Sequence, residues 1–156
     1  MSTNLFRERL GHYPIGHLEE VDDELRATTP PNCLLDVLDI HLTHAGPGAA
    51  RALMTVREKH LNQAGAVQAG ALIALADATA GWAAKTAVPD GQTFTTLELN
   101  ANLVRPARRG ELLEAVASPV QVGRRVMVFQ VDVRVHAQEG AEGKLAASFR
   151  CTELVV

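Results

Sequence analysis

Aromatic residues are scarce, at 4% of the 156 residues, so no aryl-binding signature is written into the composition. Cysteine is almost absent. Cys33 and Cys151 have no CxxC spacing and no nearby histidine ligand set, which argues against a metal centre and for two reduced, semi-buried thiols rather than a disulfide. Positive charge is not in excess: the formal net charge is −3, so no global basic field draws the chain to nucleic acid. Outside one central helical stretch, no apolar run of about 18 residues is free of charge. That stretch is rich in Ala and Gly and carries Asp77 and Lys85, which speaks against a membrane span. The N-terminus, MSTNLFRERLGHYP, has Arg and Glu where a signal peptide needs an apolar core, so cytoplasmic residence is expected. There is no glycine-rich phosphate loop, dinucleotide fingerprint or internal repeat. Ser118, Ser148 and Thr152 have no histidine at a spacing that suggests a triad.

What is present is organised around residues 58–85, EKHLNQAGAVQAGALIALADATAGWAAK. From Ala69 to Lys85 there is no proline, and Ala and Leu, strong helix formers, dominate. The pattern is apolar almost all the way round, as in a helix at the middle of a domain. Asp77 lies inside it, and a buried carboxylate costs several kcal/mol unless paired or hydrogen-bonded. Around this helix, alternating patterns predict strands over 33–44, 50–57, 93–104, 111–122, 125–137 and 144–155. Short helices are expected from a cap at Asn4 to Leu10 and from Leu18 to Leu25, with a break at Thr29-Pro30-Pro31-Asn32. Two strands, a long dry helix and four strands imply an α+β fold, an antiparallel sheet curled over the helix. A sheet covers one side of a helix, so a homo-oligomer is expected to cover the rest.

Four segments carry a family resemblance: HLNQAGAVQAG at 60–70, LADATAG at 75–81, LNANLVRPARRG at 99–110 and VGRR at 122–125. Together they resemble hotdog-fold acyl-CoA thioesterases of the PaaI, phenylacetate-degradation, type. The resemblance runs from about Leu34 to the C-terminus, which divides the chain into an N-terminal extension, 1–30, and a thioesterase-like domain, 31–156. It implies a sheet wrapped round the helix, dimers pairing into tetramers, and hydrolysis of acyl-CoA thioesters at dimer interfaces. No cofactor or metal is implied, CoA being part of the substrate. In that family the helix opens with His-Gly-Gly; here the triplet is Gln68-Ala69-Gly70. Glutamine can donate and accept hydrogen bonds but cannot carry the proton charge of histidine.

Thioester hydrolysis needs an activating group, donors for the oxyanion and a grip on the CoA tail. Asp77 is the candidate general base or nucleophile; its alternative is a structural carboxylate. The backbone N–H groups of Ala69 and Gly70, at the positive end of the helix, are candidate oxyanion donors. Asn62 is a candidate for holding the water or the carbonyl, or else a loop amide closing a turn. Gln68 is a candidate for orienting the carbonyl; its alternatives are an N-cap-like residue or a solvent-facing side chain. Arg105, Arg108, Arg109, Arg124 and Arg125, with Lys144, form a candidate phosphate dock near a subunit boundary. His60 is expected on a surface loop. His41 and His44, three apart on a strand, are expected on opposite faces and make a poor metal pair. The missing His at position 68 motivates a second reading, a non-catalytic acyl-CoA-binding or regulatory protein. A hotdog dehydratase and a purely structural domain are the weaker alternatives.

Overall fold

In the computed structural model, residues 4–156 are described; residues 1–3, the first of the expected extension, lie outside the described residues. The long helix, α4, spans Ala69–Ala87, following short helices α1 (Leu5–Leu10), α2 (Asp23–Arg26) and α3 (Leu34–Val37). Seven strands form one antiparallel sheet: β1 (Glu19–Glu20), β2 (His41–Gly46), β3 (Ala49–Thr55), β4 (Phe94–Leu103), β5 (Leu112–Val122), β6 (Val126–His136) and β7 (Lys144–Val155). Their spatial order is β1-β2-β3-β5-β6-β7-β4. This is the hotdog arrangement: the sheet curls over α4.

Alternation builds the dry face. In β6, Met127, Phe129, Val131, Val133 and Val135 are buried, and the residues between them are not. Ala50, Ala52, Ala115 and Ala117, on the paired β3 and β5, are buried too. Their small side chains let helix and sheet approach closely. The helix turns Leu72, Leu75, Ala76, Ala80, Ala83 and Ala84 into the core. Thr79 and Thr86, buried within it, bond back to the Leu75 and Trp82 carbonyls at 2.6 and 3.2 Å, so neither hydroxyl is orphaned.

The far end of α4 is closed by the chain's own start. Asn4 caps α1, as expected, through its side chain and the Arg7 N–H. The Asn4 side-chain amide also donates to the Lys85 carbonyl at 2.7 Å. Arg7 Nη1 donates to the carbonyls of Ala87 and Val88 at 3.2 and 3.0 Å. These are groups that a helix end leaves without internal partners. Phe6, Leu10, Val21 and Leu25 join the same core as the rest of the chain, so residues expected as an extension contribute to the domain's interior.

Three local expectations are corrected. The segment from Cys33 to His44 is not one strand: Leu34–Val37 is a helical turn, Asp39 takes a left-handed φ of 52°, and β2 starts at His41. Its Leu34 and Leu38, four apart, fit strand alternation, but together with Leu35 they fit helical spacing as well, an ambiguity short apolar runs carry. The expected helix over Leu18–Leu25 is instead the bridge-length β1 followed by α2, where Asp22 accepts from the Leu25 N–H at 2.9 Å and sets a new start. A bulge between Leu42 and His44 pairs His41 with Leu53 and His44 with Arg51, so the two histidines share one face of β2 rather than opposing ones.

Candidate functional site

The face of α4 that its own sheet leaves uncovered runs through Gly70, Ile73, Ala74, Asp77, Ala78 and Gly81, all exposed or half-buried. These positions recur at three and four residues and form one stripe. Asp77 is therefore half-open, not the dry interior acid expected from the apolar sequence around it. The sheet's β4 edge flanks the stripe, and Thr96 Oγ1 on that strand donates to Asp77 Oδ1 at 3.1 Å. Almost all of β4 is exposed, including Leu97 at 61% and Leu103 at 52%.

The fully buried acid is elsewhere. Glu153 on β7 is 0% exposed, directly across from Thr96 in the β4–β7 ladder. Its Oε1 lies 3.4 Å from Thr96 Oγ1, and its Oε2 has no hydrogen-bond partner among the described residues. Burial pushes the Glu153 carboxyl up to about 7; the Thr96 hydroxyl pulls it back a little, and the Asp77 charge adds to the rise. Burial likewise drives the neighbouring Cys151 thiol to about 12, helped by Asp77 and Glu153, so this free cysteine stays protonated. Sequence reasoning passed over Glu153, although the signal was there. Period-two alternation in β7 puts it on the same face as Phe149 and Cys151, an acid among core residues.

At the other end of the stripe, Gln68 occupies the N-cap of α4 with an extended ψ of 136° and makes no side-chain cap bond. Its side chain is exposed and uncommitted, and the first amides of α4, those of Ala69 and Gly70, follow it. Asn62 does close a turn: its Oδ1 accepts from the Ala64 and Ala66 N–H groups at 2.9 and 3.2 Å. With that oxygen occupied, what the side chain can offer outward is its amide donor. His60 is buried, not on the surface. Its Nδ1 accepts from the Arg57 N–H at 2.9 Å, and its carbonyl takes the Gln68 N–H at 2.7 Å, so it fixes the approach to α4. Burial holds its pKa below the usual histidine range.

Distance along the helix is decisive. Eight residues separate Ala69 from Asp77, a rise of about 12 Å. A carbonyl held by the Ala69 amide is out of reach of the same chain's Asp77. The arginines divide as well. Arg108 bridges to Ala66, and the Val67 N–H reaches the Ala107 carbonyl, so Arg105, Arg108 and Arg109 stand at the amide end of α4. Arg105, Arg108 and Lys144 line a cleft of about 290 Å³, together with Glu111 and Glu142, which offset part of the charge. Arg109 pairs with Glu58 at 3.2 Å. Arg124 and Arg125 lie in the turn at the opposite end of β5, roughly 30 Å away at strand rise. Within one chain the five do not make a single dock.

Residues 64–143 match the Thioesterase superfamily. The 1,4-dihydroxy-2-naphthoyl-CoA hydrolase of Escherichia coli is 29% identical over 79% of this chain and 86% of its own length. A crystal structure of a Haemophilus influenzae thioesterase superposes with a TM-score of 0.76 at 29% identity, covering 88% of this chain and 92% of that one. The E. coli PaaI protein of the phenylacetic acid degradation operon shares the fold, with a TM-score of 0.69 at 24% identity over 78% of this chain and 83% of that one.

Proposed function

From the premise that this chain belongs to the thioesterase superfamily, we propose that it hydrolyses acyl-CoA or aryl-CoA thioesters to free acid and CoA, in a site built between two copies. The observation that carries this reading is the uncovered stripe of α4. It bears the helix-start amides and Asp77 on one face, about 12 Å apart, beside a bare strand edge. A two-fold axis through the middle of that edge, perpendicular to the sheet, runs the two α4 helices antiparallel and continues the sheet from β4 to β4. The amides of one copy then meet the carboxylate of the other.

In that arrangement the thioester oxygen sits against the amides of Ala69 and Gly70, where negative charge develops. Asn62 and Gln68, with donors to spare, steady the carbonyl or the attacking water. Asp77 of the facing copy acts as base or nucleophile, oriented by Thr96. Arg105, Arg108 and Arg109, at the amide end, take the CoA phosphates. The two-fold exchanges the ends of the sheet, which supports a contribution from Arg124 and Arg125 of the facing copy. CoA enters as part of the substrate. Among the described residues no helix is long and apolar enough to cross a membrane, and the reading is of a cytoplasmic enzyme that assembles as a dimer or a pair of dimers.

The test is thiol release from a panel of acyl- and aryl-CoAs by wild type and Asp77→Asn. The variant keeps the shape and the Thr96 contact but cannot act as a base. Wild type is expected to release thiol and the variant to fail. Thermal stabilisation by CoA esters with no thiol release by wild type would favour a binding protein instead. Equal release by both would remove Asp77 from the chemistry.

A further inference from the structure

Asp77 does not stand alone. Thr96 Oγ1 lies 3.1 Å from Asp77 Oδ1 and 3.4 Å from Glu153 Oε1, so one hydroxyl joins two carboxyl groups. A threonine hydroxyl has one proton and two lone pairs. The shorter contact takes the proton, and Glu153 then faces the oxygen's lone pairs. An ionised Glu153 would meet those lone pairs with negative charge. A neutral one can donate into them.

We propose that Glu153 is a positioning residue that works in its protonated form, donating to Thr96 Oγ1 and so turning the threonine proton onto Asp77. No bond is made or broken in the line; the Glu153 proton stays on Glu153 and the Thr96 proton on Thr96. When Glu153 ionises, it competes with Asp77 for the Thr96 proton. It also adds a second negative charge beside a reaction in which an oxyanion develops. Both effects lower the rate, so Glu153 is an alkaline brake on the site. The inference rests on the assignment of Asp77 made above.

The surroundings fit a group that switches near neutrality. Facing Glu153 are Asp77 from α4, Thr96 from β4, the apolar Met127 from β6 and Cys151 on its own strand. No basic side chain contributes to its shift, whereas burial and the Asp77 charge both hold the proton on. With no side-chain surface exposed, Glu153 cannot shed its charge into solvent. Its unpartnered Oε2 is the cost of placing a carboxyl there, since a buried polar group left unsatisfied loses its hydration without replacement. A purely structural strand position would be filled more cheaply by the Val or Leu found elsewhere on this face.

The experiment is a profile of kcat and KM against pH, from 5 to 9.5. The probe is whichever of butyryl-, lauroyl- and benzoyl-CoA wild type turns over fastest. Wild type is expected to lose kcat above about pH 7, by no more than tenfold per pH unit, the limit for a single titration. Glu153→Gln, permanently neutral and still a donor, should be flat to within about twofold over that range, with KM unchanged. Thr96→Val should lower kcat and shrink the limb to the part due to the added Glu153 charge, and Thr96→Ser should restore both. An identical alkaline limb in wild type and Glu153→Gln, with both variants folded by thermal melt, overturns the proposal. So does an alkaline change confined to KM, with kcat flat. Asp77→Asn, run in parallel, keeps the two readings apart. If it is inactive while Glu153→Gln changes nothing, only the role of Glu153 falls; if it is active, the assignment of Asp77 falls beneath both.

Discussion

The two edges of the sheet are finished in opposite ways. At β1 the edge is two residues long, both glutamates, and Glu20 pairs with Arg26 at 3.6 Å while Val21 and Leu25 seal the core behind it. At β4 the edge is ten residues long, with Leu97, Leu103 and, just beyond it, Val104 exposed at 61%, 52% and 60%. A short, charged edge is how a monomer keeps other strands away; a long apolar edge invites one. The same bare flank carries the open face of α4 and the Asp77–Thr96–Glu153 line. Cover and chemistry are thus wanted on one side of the molecule, and the other side is finished within the chain.

That contrast can be broken most sharply by subunit mixing. Asp77→Asn should lower kcat on the order of a thousandfold. Ala69→Pro should remove one amide donor and cost about a hundredfold or more in kcat. It should do so without breaking α4, because proline suits the first helical position and Gln68 is already extended there. If the site joins two copies, refolding an equal mixture restores about a quarter of wild-type activity, since half the dimers are mixed and each holds one intact site. If each chain holds its own site, the mixture stays dead.

A smaller effect follows from charging each edge. Leu97→Asp with Leu103→Asp should weaken self-association by a hundredfold or so and lower activity with it, read by sedimentation velocity. Persistence of the wild-type assembly would show that β4 is not the contact. The pH dependence of stability is the next step down. A free glutamate titrates near 4.5 and Glu153 in the fold near 7, so between those values the folded chain holds more protons than the unfolded one. Stability is then full below about pH 4.5 and falls as pH rises through 7, by on the order of 3 kcal/mol. Glu153→Gln should flatten that slope in urea melts; an unchanged slope would place the titration elsewhere. Smallest of all, Glu20→Lys on the closed edge should move stability by less than about 1 kcal/mol and leave the assembly as it is.

Much of this was legible in the residues. The helix from Ala69 and the strands β4 to β7 are long and periodic, and periodicity is what a sequence shows best. The region 33–40 was not, because Leu34 and Leu38, four apart, satisfy two periods at once. Asp77 was misplaced for a different reason. Reading an all-apolar helix as dry assumes that the chain supplies its own cover, and here one stripe has none within the chain. The arginines were legible as two groups at different strand ends, and the length of β5 separates Arg109 from Arg124 by a full strand. Glu153 was written plainly in the alternation of β7, but one acid in a strand pattern is easily counted as an outward position.

The order of the sheet has a consequence for how this protein is made. Among the described residues β4 hydrogen-bonds to one neighbouring strand, β7, which follows it by two intervening strands in chain order. Roughly 50 residues must leave the ribosome after Leu103 before that neighbour exists, an interval of about 3 to 10 s at ordinary elongation rates. Through that interval the most apolar border of the domain has no companion on either side. Nascent chains should therefore be most prone to clumping while β7 is still being translated, and stop codons falling within it should leave insoluble product rather than a merely weakened fold.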